Sequence, residues 1–246
     1  MIPGPPEVVT CPACGAKHYR KTLISGNTIG ATYFSDGVID APMLPKIPVF
    51  TKCYSCNALF KVTKEIVSEG GEEWDFLVPN ANTHFVRFLA IDDYIRAIDE
   101  GLCNSEPRGS KEFNADTLQL RLRLWRAFND NLCRRGRGNN VEAITDQRYL
   151  DNCRAILSEI TEDGASDPEL LTLAEIHRNL GEFDECLRLL FWVADKDRFK
   201  HYISAFQEQC AAHNKKTFDV TEPHSKMEQY AAQTEAAKRE EAARAF

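Results

Sequence analysis

Two Cys-x-x-Cys units, Cys11-Pro-Ala-Cys14 and Cys53-Tyr-Ser-Cys56, stand 38 residues apart, and no other feature of this sequence restricts its fold as much. A tight turn puts both sulfurs of one unit on the same side, so two such units complete a tetrahedron of thiolates around a single ion. Gly15 follows the first unit and Asn57 the second, the two residue types that best tolerate the left-handed backbone such a turn needs. Four thiolates point to a structural Zn²⁺ bound by Cys11, Cys14, Cys53 and Cys56. Iron is the alternative ion for the same donors. A catalytic zinc would need a position open to water, and four cysteines leave none. A redox dithiol belongs at a strand-to-helix junction, and neither unit precedes a helical pattern. His18 could replace one ligand, but a place behind the ligands or at the surface is the plainer reading.

The remaining cysteines point the same way. Nine is an odd number, and Cys103, Cys133, Cys153, Cys186 and Cys210 are scattered singly through helical patterns. That distribution fits buried free thiols in a reducing compartment better than a disulfide framework. No apolar run approaches 18 residues, which excludes a transmembrane helix. Met1-Ile-Pro-Gly-Pro-Pro lacks the basic and apolar regions of a secretory signal, so the expected location is the cytoplasm. The net charge of −7 argues against general nucleic-acid coating. Residues 1–63 carry six Lys/Arg against three Asp/Glu, an excess that a four-thiolate zinc site would nearly cancel.

The pattern divides into an N-terminal strand-and-turn segment and a helical remainder, an α+β chain. Residues 1–8 read as a Pro-rich lead-in. Thr32–Ser35 and Val38-Ile39 flank Asp36-Gly37, a hairpin signal, and Pro42, Pro45 and Pro48 impose an extended return to the second cysteine pair. Residues 64–84 read as a connector, with a short strand at Trp74–Val78. Ile91, Tyr94, Ile95 and Ile98 share a helical face that Gly101 ends. Helices follow from Asp116 to about Cys133, around Tyr149–Ile160, from the capping-box pattern Ser166-Asp-Pro-Glu169 to Leu180, from Phe183 to Val193, and around Phe199–Cys210. The division is thus 1–63, 64–84, 85–213 and a polar tail over 214–246, read as a solvated helix.

The cysteine-bearing segment resembles a zinc ribbon, with an insert longer than a ribbon hairpin needs. Leu173 to Leu190 resembles the helix-turn-helix of a tetratricopeptide repeat. Ala174 and Cys186 fall at its small-residue positions, Gly181 at the turn and Phe183 at the aromatic slot after it, although no further 34-residue copy is evident. Considered together, the two ends resemble a group of bacterial proteins, uncharacterised in activity, that join two such cysteine pairs, a Gly-Asn-Thr-Ile-Gly-Ala-Thr-like insert and a repeat-like helical half. That resemblance implies architecture and a cytoplasmic setting, not a reaction.

No His-Glu-x-x-His, Gly-x-Ser-x-Gly or dinucleotide fingerprint is present, which points away from an enzyme. His177 sits two positions from Glu175 on its helix, so the two do not face each other, and His201, His213 and His224 are isolated. Ser25–Thr32 could cradle an anion through its backbone N–H groups, yet its glycines equally serve tight turns. An enzymatic cleft, if any, belongs around that stretch. Arg121, Arg123, Arg126, Arg134, Arg135 and Arg137 stand against one acid, Asp130, and suit either a phosphate contact or a solvated helix end. The leading expectation is a non-enzymatic zinc-binding adaptor that takes a protein partner through its helical half. The alternative is a nucleic-acid-associated zinc-ribbon protein using Arg121–Arg137.

Overall fold

The computed structural model describes residues 1–69, 84–102, 111–130 and 145–221, with backbone alone at 111–113. The layout is α+β: a cysteine-bearing β region followed, among the described residues, by six α-helices. The chain forms two compact units. The first comprises Met1–Asn27 and Met43–Leu124, the second Thr28–Pro42 and Trp125–Phe246.

In the first unit β1 (Ile2–Thr10) pairs antiparallel with β2 (Lys17–Ser25) on one side and β7 (Val67–Glu69) on the other. A strand so early corrects the reading of residues 1–8 as a lead-in. Pro5 and Pro6 fall inside the irregularity between Gly4 and Glu7, where a missing N–H costs no ladder bond, while Pro3 faces Leu23 next to a second shift. Thr22 Oγ1 donates to the Pro5 carbonyl at 2.6 Å inside that irregular stretch. A second hairpin pairs β5 (Phe50–Lys52) with β6 (Leu59–Lys61). Helix α1 (Ile91–Glu100) ends at Gly101, whose φ of 83° matches the expected stop. Lys52 Nζ meets the Asp93 carboxylate of α1 at 3.0 Å, and Lys61 Nζ meets Asp116 of α2 at 2.5 Å.

Helix α2 (Lys111–Asn129) begins five residues before the expected Asp116 and carries the chain from the first unit into the second. Its expected end near Cys133 lies outside the described residues. So do the strand expected at Trp74–Val78 and residues 222–246 of the polar tail, whereas 214–221, expected as part of a solvated helix, are non-helical with Thr217, Val220 and Thr221 buried.

In the second unit the hairpin of β3 (Thr32–Tyr33) and β4 (Ile39–Asp40) turns at Asp36-Gly37 as expected, with Gly37 at a φ of 75°. Four helices follow: α3 (Gln147–Glu159), α4 (Asp167–Leu180), α5 (Phe183–Trp192) and α6 (Lys200–Ala211). The Ser166–Glu169 capping box forms at the start of α4, a motif that stabilises a helix by about 1 kcal/mol. Gly181 takes the left-handed conformation at its end, and α5 turns back as a helical hairpin. Ala174 and Cys186 are buried in that hairpin with Leu170, Leu173 and Leu189, in one cluster with Phe206 and Cys210 of α6. Cys186 and Cys210, far apart in sequence, bring their sulfurs to 3.5 Å.

The centre of this unit is polar. Glu175 and Arg178 are both 0% exposed. Arg178 donates to the carboxylate through Nε at 2.8 Å and Nη2 at 2.6 Å, Ser35 Oγ donates at 2.7 Å, and Asn179 Nδ2 adds a fourth contact at 3.3 Å. The guanidinium is spent further on the carbonyls of Lys216, at 2.9 Å, and Asn214, and lies over the Phe218 ring at 4.7 Å. Asn179 also accepts from Trp125 Nε1 at 3.0 Å. Beside it Asn129 donates to Asp36 Oδ2 and accepts from the Tyr149 hydroxyl, each at 3.1 Å. Burial pushes the Glu175 carboxyl above its ordinary value, opposed by the Arg178 charge and the Ser35 hydroxyl. Removing one member of such a pair leaves a charge in the core with no counterpart. Glu175→Ala is therefore expected to cost about 3–5 kcal/mol, read as a fall in the midpoint of thermal or urea unfolding. Glu175→Gln, which keeps the shape and an acceptor, should cost less.

Candidate metal centre

Each cysteine pair occupies the turn of a hairpin, and the two turns are built alike. In the first, between β1 and β2, the Cys11 N–H donates to the Ala16 carbonyl at 2.8 Å and the Gly15 N–H to the Cys11 carbonyl at 2.9 Å. In the second, between β5 and β6, the Cys53 N–H donates to Ala58 at 2.8 Å and the Asn57 N–H to Cys53 at 3.1 Å. Gly15 has a φ of 74° and Asn57 one of 61°, so both stand in the left-handed region their residue types had suggested. Arg96 of α1 fixes the second turn by donating to the Asn57 carbonyl at 3.0 Å.

The two turns bring all four sulfurs within 4.8 Å of one another, a group able to hold a metal ion. Cys11 Sγ lies 3.8 Å from Cys56 Sγ, and Cys14 Sγ lies 3.6 Å from Cys53 Sγ. Bonded sulfurs would be about 2.05 Å apart. A tetrahedral ion with metal–sulfur bonds of about 2.3 Å requires edges of about 3.8 Å. The spacing therefore suits coordination and not disulfides.

The backbone around the sulfurs suits thiolates. The Ser55 N–H donates to Cys53 Sγ at 3.4 Å. N–H groups of Ala13 and Cys14 face Cys11, that of Ala16 faces Cys14, and that of Ala58 faces Cys56. Cys11 is buried with Cys53 among Val9, Phe60, Val62 and Val86, and burial pushes its thiol up to about 12 against those N–H donors. Cys14 is exposed, and the Ala16 N–H followed by the contact with Cys56 lowers it to about 7. An inner pair of sulfurs is thus shielded from water while an outer pair faces it. Neither pair opens a helix, which removes the usual setting of a redox dithiol.

Other candidate residues fall elsewhere. His18 stands outside the sulfur group and is buried, its ring against Tyr54 at 5.0 Å and Phe60 at 5.9 Å, which rules out the surface reading. Burial, followed by His84 and Arg87, lowers its pKa. In Ser25–Thr32 the glycines serve backbone turns and close approach. Gly30 has a φ of 75°, the Ala31 N–H closes on the Thr28 carbonyl at 3.0 Å, and a Cβ at Gly26 would meet the Met43 carbonyl oxygen at 2.5 Å. His177 does not face Glu175; its Nδ1 lies 2.6 Å from Glu182 Oε2. Arg123 lies over the Phe50 ring at 5.7 Å, and Arg126 donates to the Asp36 carbonyl at 3.1 Å. Arg134, Arg135 and Arg137 lie outside the described residues, as does His224.

Sequence reasoning missed the Glu175–Arg178 pair and its Ser35 partner. The available signal was an acid and a base three positions apart on α4, flanked by the apolar Leu173, Ala174 and Ile176. It also passed over the outer face of α5, where Leu187, Phe191 and Trp192 are exposed.

Comparison with protein-family models, curated proteins and solved structures gave no match. The resemblance to the bacterial group therefore gains no support from them.

The left-handed turn residues give a direct check. Asn57→Val places a β-branched side chain in a conformation that costs it about 1–2 kcal/mol, whereas Asn57→Gly is tolerated. Metal-competition titration should show metal held roughly tenfold more weakly by the valine variant and unchanged by the glycine variant.

Proposed function

We propose that this chain is a non-enzymatic adaptor whose N-terminal module is held by a structural zinc ion on Cys11, Cys14, Cys53 and Cys56, and whose helical half takes a protein partner. The observation that carries the metal assignment is the meeting of four sulfurs at coordination spacing with backbone N–H groups aimed at them. Zinc suits four thiolates in a closed tetrahedron and supplies cross-linking without redox chemistry. The partner assignment draws on α5. Phe191 is 75% exposed and Trp192 63%, with ring centroids 6.0 Å apart, and Leu187 continues the face one turn earlier. Aromatic residues left in water on a rigid helix are the kind that anchor protein interfaces. The nucleic-acid reading has less to draw on, since Arg123 and Arg126 are engaged within the fold.

Two measurements test the two halves of this reading. Elemental analysis of purified protein should return one zinc per chain, falling to none in Cys53→Ser/Cys56→Ser. Quantitative cross-linking in native extract should then recover a protein partner at least about tenfold less well with Phe191→Ser/Trp192→Ser, the effect of losing a hot spot of about 1.4 kcal/mol or more. Equal recovery by both forms, with zinc content intact, removes α5 as the partner surface.

A further inference from the structure

We propose that metal on the four cysteines governs the order of the helical unit, acting through residues 28–42; this inference rests on the metal assignment above. Its basis is the interleaving of the two units along the chain. The segment between the cysteine pairs is not an ornament of the metal-bearing unit, because residues 28–42 are built into the other one.

Within that unit the segment is held by its own backbone and by buried side chains. The Ser35 N–H donates to the Phe218 carbonyl at 2.9 Å, the Phe218 N–H to Ser35 Oγ at 3.1 Å, and the Val220 N–H to the Tyr33 carbonyl at 2.8 Å. The Tyr33 N–H donates to Thr221 Oγ1 at 2.9 Å. Ser35 Oγ reaches the Glu175 carboxylate, Asp36 accepts from Asn129, and Arg126 donates to the Asp36 carbonyl. If the segment departs, Glu175 loses a donor and the 217–221 strand-like stretch loses its partner, both in a core where water is scarce.

In sequence this segment is separated from the helices it packs with by residues 43–124, a span of 82 residues belonging to the first unit. While that unit is folded, contacts such as Lys61 with Asp116 and Arg123 over the Phe50 ring hold the two ends of the span near each other. Unfolded, it becomes a flexible loop that must be closed each time the segment docks, at an entropic cost that grows with the logarithm of its length. With the three-halves exponent, 82 residues set a ceiling of several hundred-fold on the loss in docking equilibrium. The β-rich end of the first unit has a small apolar core in which two of the ligands, Cys11 and Cys53, are themselves members, so its folding depends on what those sulfurs bind. Metal loss therefore propagates by chain connectivity to α4, with no need for a ligand at the helical unit.

Hydrogen exchange of the full-length chain, metal-loaded and stripped by a chelator, tests this with three sets of peptides: 1–62, 170–180 and 217–221. Stripping should accelerate exchange on the order of tenfold or more in 170–180 and 217–221 as well as in 1–62. If 1–62 opens while 170–180 keeps its protection, the linkage is wrong and the metal assignment stands. If the purified chain holds no metal and chelator changes nothing in 1–62, the metal assignment falls and the linkage with it. Ser35→Ala supplies the route. It should accelerate exchange in 170–180 while leaving metal content and exchange in 1–27 and 43–62 unchanged, and wild-type exchange in 170–180 for this variant refutes transmission through residues 28–42.

Discussion

A carboxylate and a guanidinium, both sealed from water, set the terms on which the helical unit folds. Isolated in a protein interior, either ion would be destabilising by several kcal/mol, so each must find its donors or acceptors at fixed positions. Helix α4 supplies Glu175, Arg178 and Asn179 from one face, which brings the two charges together but leaves lone pairs and N–H groups over. Ser35 takes up the carboxylate, and the carbonyls of Asn214 and Lys216 take up the guanidinium. Hydrocarbon packing would accept many registers of these segments. Bidentate hydrogen bonds accept very few, and so the β3–β4 hairpin and the stretch after α6 each have one position in this core.

The metal-bearing end reaches order by the opposite means. Its β1–β2–β7 sheet has one short strand and a proline-rich, irregular partner, and the hydrocarbon behind it is modest. Four sulfurs replace what that core lacks. The turns that carry the sulfurs also bring backbone N–H groups to them, as Ser55 does to Cys53 Sγ, so coordination needs little rearrangement of the backbone. The same closure leaves no position for water or substrate, so an ion here would organise the chain without taking part in a reaction.

Local chemistry made much of this legible in advance. The Cys-x-x-Cys turns, their Gly15 and Asn57 partners, the Asp36-Gly37 hairpin, the Ser166–Glu169 box and the Gly181 stop are all short-range motifs, where sequence neighbours are also spatial neighbours. What stayed hidden depends on pairing across distance. The prolines of β1 disguised a strand because an irregularity between Gly4 and Glu7, invisible in composition, lets the pairing pass around Pro5 and Pro6. Ser35 and Glu175 lie 140 positions apart, and nothing near either residue announces the other. The contact between Cys186 and Cys210 escaped for the same reason, since each reads as a single thiol on its own helix.

Helix α5 shows where stability alone stops explaining the sequence. Ten residues suffice for one buried face, and Cys186, Leu189 and Leu190 provide it. Leu187, Phe191 and Trp192 give the helix a second apolar face that contributes nothing to that core. Lys196 softens it only in part, lying 5.7 Å from the Phe191 ring while its ammonium donates to the Leu190 and Phe191 carbonyls at the helix end. These bonds satisfy two carbonyls at the end of the helix that carries the two rings. Aromatic side chains have few rotatable bonds, so under the partner reading proposed above these rings would lose little conformational freedom on binding. The polar core beneath bears on this face as well: Glu175 and Arg178 tie α4 to its neighbours, and α5 follows α4 through the tight turn at Gly181.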